Sequence, residues 1–179
     1  MTPLPRVSSI AIQLAGLLAI SIHTAWAQDY AVTRAEYVEA WKASKDYTLA
    51  VAKAMPAESY SFRPTPDQFT FAVQMLHLAH ANYAWFTKVL AVPRSIADPK
   101  SEEKEDVLPY LEATFDYCID AVQRMPAEQL GRAASGVPNR PNGSTRDALL
   151  NMYMHTAHHR GQAIIYLRLK GIAPPEYRF

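Results

Sequence analysis

The sequence predicts an all-α protein, a four-helix bundle preceded by an N-terminal signal peptide. Only six glycines occur in 179 residues, and strand-like alternation of polar and apolar residues is rare. Apolar residues instead recur at three- and four-residue steps through four long segments. Hydroxyl residues, prolines and glycine bound these segments in the positions that start and stop helices.

Residues 1–27 read as the signal peptide. Arg6 supplies a positive start, residues 10–22 form an apolar run broken mainly by Gln13 and Ser21, and Ala25-Trp26-Ala27 gives the small-x-small pattern of a cleavage site. The run is shorter than the roughly 20 residues needed to cross a bilayer, so cleavage is favoured over a retained anchor. Cleavage would leave Gln28 as the new terminus and one domain over residues 28–179. A periplasmic or secreted product is expected, with no stable membrane span. Loss of Arg6 from 18 basic residues leaves 17, against 17 acidic ones. A neutral chain gives no electrostatic reason to bind nucleic acid or an anionic membrane.

The first helix is expected from about Thr33 to Met55, where Pro56 closes it. Thr33 with Glu36 makes a capping-box pattern, and Tyr37, Trp41, Ser44, Thr48, Val51 and Met55 share one face. The second runs from a Thr70 cap to about Leu90 and stops before Pro93. It is apolar nearly all round, so it is either buried or crowded at an interface, which leaves room for a homodimer. In the third, Leu108, Leu111, Phe115, Cys118, Val122 and Met125 form the apolar stripe. This helix is expected to begin within the acidic stretch Ser101 to Asp106, and Pro109, which suits only a first turn, argues for a start near Asp106. The fourth starts at Ser144, paired with Asp147 as a cap, and ends at Gly171 before Pro174-Pro175. The lone cysteine, Cys118, sits on an apolar stripe and reads as a buried thiol rather than a nucleophile. Met55-Pro56-Ala57-Glu58 is echoed by Met125-Pro126-Ala127-Glu128, each before a long loop and a helix carrying histidines. Two helix pairs related in this way can face a shared core.

All five histidines beyond residue 27 fall on the second and fourth helices. His155 and His159 are four residues apart, so both rings project from one face, and they continue the stripe of Ala148, Met152, Ala163 and Tyr166. An imidazole on an inward face needs partners for both ring nitrogens, and a metal ion supplies one. His77 on the second helix can complete a three-nitrogen set; spacing favours it and leaves His80 as the alternative. His158 lies off the stripe. The sequence contains no Glu-x-x-His, no His-Glu-x-x-His and no Cys-x-x-Cys-His, so the ferritin-like, zincin and covalent-haem patterns are missing. His80 and Tyr83 are candidate bases by position, Gln162 is a candidate support for a ligand, and Arg160 is expected in a structural ion pair. Gly161, costly in a helix interior by about 1 kcal/mol, suggests close helix contact or access to the site.

His155-Thr156-Ala157-His158-His159-Arg160-Gly161-Gln162, with Tyr166-Leu167-Arg168, Gly171 and Pro174-Pro175 following, resembles the C-terminal signature of the DinB/YfiT-like superfamily. The segment from Thr70-Phe71-Ala72 through Gln74 to His77-Leu78-Ala79 is similar to that family's second-helix motif. The resemblance spans roughly Tyr30 to Pro175. It implies a four-helix bundle with a divalent metal on three histidines, here His77, His155 and His159. Val73 stands where the family often has an acidic residue, a departure that concerns helix capping rather than metal. The resemblance also implies an enzyme, since characterised relatives include transferases and isomerases that use cytoplasmic low-molecular-weight thiols. An exported chain would meet little of such a thiol. The expectation is therefore a metal-dependent hydrolase or transferase acting on an unknown small molecule, with a structural, non-catalytic metal as the alternative. Three imidazoles suit zinc, nickel, iron or copper, and the sequence does not choose among them.

Overall fold

A computed structural model describes residues 33–134, 137, 140 and 142–177. The expected leader and its cleavage point at Gln28 lie outside the described residues. Four α-helices are described: α1 over residues 33–54, α2 over Phe71–Leu90, α3 over Lys104–Arg124 and α4 over Thr145–Leu169. Two short 3-10 helices, Ala57–Ser59 and Ala127–Gly131, follow α1 and α3. Among the described residues the β pairing is a single isolated bridge between Ala133 and Ser144. No described helix is long and apolar enough to cross a membrane.

Local chemistry explains most helix ends. Thr70 Oγ1 accepts from the Val73 N–H at 3.1 Å and caps α2. Valine at this third position cannot return a bond, so the cap is one-sided. Ser144 and Asp147 bond reciprocally in a full capping box at α4. Gly171, at φ 73°, ends α4 in the left-handed conformation, and Ile172 N–H reaches back to Leu167 O at 2.9 Å. The start of α1, where the sequence predicts a Thr33 cap, lies at the edge of the described residues.

The start of α3 falls within the expected stretch 101–106, but earlier than Pro109 suggested. It begins at Lys104 rather than near Asp106, which places Pro109 inside the helix, in its second turn. Two contacts favour the earlier start. Ser101 Oγ accepts from Glu103 N–H and donates to Asp106 Oδ2, organising the chain just ahead of the helix. Lys104 Nζ then donates to Lys53 O and Met55 O at 2.8 and 2.7 Å, placing a cation on the free carbonyls that end α1.

The sequence echo is structural. Pro56 and Pro126 each precede a 3-10 turn, and in each half the residue six positions after that proline returns its carbonyl to the first N–H of the next helix. Phe71 N–H donates to Phe62 O, and Thr145 N–H to Arg132 O, both at 2.8 Å. Each histidine-bearing helix thus starts with a donor satisfied by its own preceding loop.

The helices close around Trp41 of α1. Its ring meets Phe86 of α2, Phe115 of α3 and Tyr153 of α4 at 5.1, 5.8 and 6.0 Å between centroids. α2 packs against both α3 and α4, so its all-round apolar character reflects burial. Cys118 is fully buried and burial pushes its thiol well up, consistent with a structural role. The caps make a graded prediction. Ser144→Ala should cost about 1–2 kcal/mol and Thr70→Ala about 0.5–1 kcal/mol in urea unfolding near neutral pH. Asp147 is held below its ordinary 3.8 by its Ser144 bonds. Its contribution is therefore present above that value and lost as pH falls through the lower folded one. Equal costs for the two variants would contradict the asymmetry of the caps.

Candidate metal centre

α2 and α4 run antiparallel: Gln74 meets His159 and Gln162, while His77, further along α2, meets His155 and His159. This register brings together the three histidines the sequence favoured. Ring centroids are 4.4 Å apart for His155 and His159, 4.5 Å for His77 and His159, and 5.3 Å for His77 and His155. One nitrogen from each ring lies within 4.8 Å of the others, and no further His, Cys, Asp or Glu of the described residues joins the group.

The site is held from two sides. Gln74, only 1% exposed, places Nε2 at 2.7 Å from His159 Nδ1 and 2.8 Å from Gln162 Oε1. Gln162 Nε2 continues the chain to His158 Nε2 at 2.8 Å. Further along α2, buried Asn82 and Thr156 exchange hydrogen bonds at 2.8 and 3.1 Å, beside His155. Gln74 engages Nδ1 of His159, so Nε2 is the nitrogen this ring can turn to the shared space. A ligand nitrogen must carry a lone pair, which puts the ring proton on Nδ1. Gln74 Nε2 also donates to Gln162 Oε1 and to the His159 carbonyl, so a proton on Nδ1 requires the Gln74 and Gln162 amides to turn over together.

Burial lowers the proton affinity of all three rings. His77 is lowered first by burial and then by His80; His155 by burial, then by His77 and His158. His159 is pulled down to about 4 by burial and by His155, His77 and His158. Three neutral imidazoles sharing one space are a donor set suited to a divalent cation. The fit has a second support: His155 Nδ1 is buried and has no hydrogen-bond partner, a vacancy that folding alone leaves uncompensated.

The remaining expected residues separate clearly. His80 turns outward, its Nε2 3.6 Å from Asp98 Oδ1 and its ring 5.0 Å from Tyr110. Tyr83 is buried, and its hydroxyl accepts from Ser95 N–H and Ile96 N–H at 2.5 and 2.7 Å, so it clamps the loop after α2 and does not face the histidines as a base. His158 is exposed, as its position off the stripe implied. Gln162 reaches His159 through Gln74. Arg160 forms no ion pair among the described residues. Its buried guanidinium donates to Ser44 Oγ at 2.8 Å and Thr48 Oγ1 at 3.2 Å and lies 4.9 Å from the Tyr47 ring centroid. A Cβ at Gly161 would meet nothing within 4 Å, so close helix contact does not explain that glycine. Gln74 is the site residue that sequence reasoning passed over. Its signal was a polar side chain one turn before His77 on a helix otherwise apolar nearly all round.

Beside the histidines, the loop before α2 and the end of α4 enclose an open cavity of about 470 Å³. Gln74 and Gln162 form part of its wall, and Phe69, also in the wall, lies 5.5 Å from the His77 ring.

Comparison with known proteins agrees with this architecture. A DinB-like protein from Bacillus subtilis matches with a TM-score of 0.66 and 15% identity, over 80% of this chain and 98% of that one. A DinB-like protein from Bacillus cereus matches with a TM-score of 0.69 and 17% identity, over 79% and 95%. A conserved protein from Enterococcus faecalis matches with a TM-score of 0.57 and 18% identity, over 74% and 94%. At these identities the likeness is one of fold. The search of curated proteins gave no match. The DinB family model matches residues 28–179, nearly everything beyond the expected leader. The chain therefore belongs to the DinB family.

Proposed function

We propose that this protein is a divalent-metal-dependent enzyme of the hydrolase or transferase type, acting on a small molecule. The observation that carries the reading is the set of three converging imidazoles on two facing helices, which no other described His, Cys, Asp or Glu completes. Three protein ligands leave room for water or substrate, the pattern of catalytic rather than closed structural sites. A cation held there would supply Lewis acidity, polarising a substrate oxygen or making water more acidic near neutral pH. The chain's own residues do the rest. Gln74 orients His159, burial keeps the rings unprotonated, and the adjoining cavity gives a small molecule a place to approach.

We also propose that the enzyme works in the periplasm or outside the cell, on the strength of the leader-like residues 1–27. In that setting water is a more available nucleophile than a cytoplasmic thiol. A second reading, in which the ion only ties α2 to α4, draws on the division of the three ligands between those helices.

Elemental analysis of protein purified without an affinity tag tests the ligand set. His77→Ala, His155→Ala and His159→Ala should each abolish stoichiometric metal, while His80→Ala and His158→Ala should retain it. Gln74→Leu should weaken metal affinity about 10- to 100-fold without removing a ligand. Metal loss in His80→Ala with retention in His77→Ala would refute the assignment.

Acid should act on the metal-free fold in a defined direction. Between about 4 and the ordinary imidazole value of 6.5, the unfolded chain binds protons that folded His159 refuses. Stability therefore rises with pH across that window and levels off above it. The urea midpoint of metal-free protein should fall as pH is lowered through the window, and His159→Gln should flatten the slope. Identical slopes in the two proteins would contradict the burial argument.

A further inference from the structure

The cavity beside the histidines has a lining with a chemical preference of its own. Three of the six large hydrophobic side chains exposed on the described surface, Phe69, Ile165 and Leu169, line this one cavity at 45%, 50% and 57% exposure. Such clustering is unlike the scattered single apolar residues of an ordinary surface. Asp67 is the one charged residue in the wall, and no lysine, arginine or histidine lines it. The other polar groups nearest the histidines are the neutral amides of Gln74 and Gln162. Tyr166, whose hydroxyl donates to Phe69 O at 2.9 Å, ties the Phe69 loop to α4 and keeps the walls together.

The geometry points to a substrate subsite for an uncharged small molecule with an apolar body and a neutral hydrogen-bonding head, such as an amide, ester or alcohol. This rests on the enzyme reading above and narrows its substrate class. The apolar body lies on Phe69, Ile165 and Leu169. The head meets the exposed amide of Gln162, which is hydrogen-bonded to buried Gln74 beside His159. A volume of about 470 Å³ suits a molecule of one or two rings. An anionic ligand, including a carboxylate-bearing thiol, would find no counter-charge in the wall and would meet Asp67.

The test uses two probes of nearly equal size, neutral 2-naphthylmethanol and anionic 2-naphthoate, titrated by fluorescence into the mature chain with and without one equivalent of zinc. The zinc-free arm matters because a carboxylate can ligate zinc directly and mask the preference of the wall. Without zinc, the alcohol should bind about tenfold more tightly than the carboxylate. Leu169→Asp should weaken the alcohol about tenfold in both arms, the loss expected for one buried leucine contact. Zinc stoichiometry should be unchanged in Leu169→Asp. Leu150→Asp, exposed on the same helix but outside the cavity, should alter neither probe nor metal. Equal or tighter binding of the carboxylate without zinc, or indifference of the alcohol to Leu169→Asp, overturns the proposal. So does sedimentation as a dimer that Leu169→Asp dissociates, because the apolar rim would then be covered by a second copy. Failure of the metal reading shows separately, as zinc below one per chain with the alcohol's affinity intact, an outcome that supports the subsite.

Discussion

Two neighbouring residues of α4, His159 and Arg160, are gripped by different helices, and that double grip fixes the rotation of α4 in the bundle. On one side Gln74 of α2 holds His159; on the other, Ser44 and Thr48 of α1 hold the buried guanidinium of Arg160. Successive residues on a helix point about 100° apart, so the two anchors together leave α4 little freedom to turn. His155, four residues back from His159, is carried into the same space as His77. The apolar contacts around Trp41 supply cohesion to all four helices, but they are less directional than these polar ties.

The three-histidine cluster works against the fold that builds it. Three imidazoles are drawn partly out of water, burial lowers the proton affinity of each, and one buried nitrogen has no partner. A bundle selected for stability alone would fill this space with leucine or alanine. Such local disagreement between folding and chemistry is expected at functional sites. The polar residues flanking the rings limit the cost: Asn82 with Thr156 and Gln74 with Gln162 are satisfied by each other.

What was legible in the sequence was local. Thr70, Ser144 with Asp147, and Gly171 set helix ends through bonds to residues a few positions away, and all three sit where the pattern placed them. The i,i+4 spacing of His155 and His159 did the same for the site, because one helix determines it. Errors arose where a distant partner decided the outcome. Pro109 argued for a later start to α3, but Lys104 reaches the end of α1 and starts the helix earlier. Arg160 suggested an ion pair, yet its partners are hydroxyls and a tyrosine ring on α1. The grip of Gln74 on His159 and the cavity beside it depend on α2 and α4 lying side by side. The Met-Pro-Ala-Glu echo lies between these cases: four residues repeat, but the shared carbonyl return to the next helix needs the folded loops.

We propose that three imidazoles hold an ion whose coordination the protein leaves incomplete. Titrating the cobalt-substituted protein with azide, followed by its visible absorption, measures this directly. An open site predicts a saturable change in the cobalt bands as azide occupies the free position. Bands that neither azide nor imidazole perturbs would show a closed coordination sphere and contradict the account.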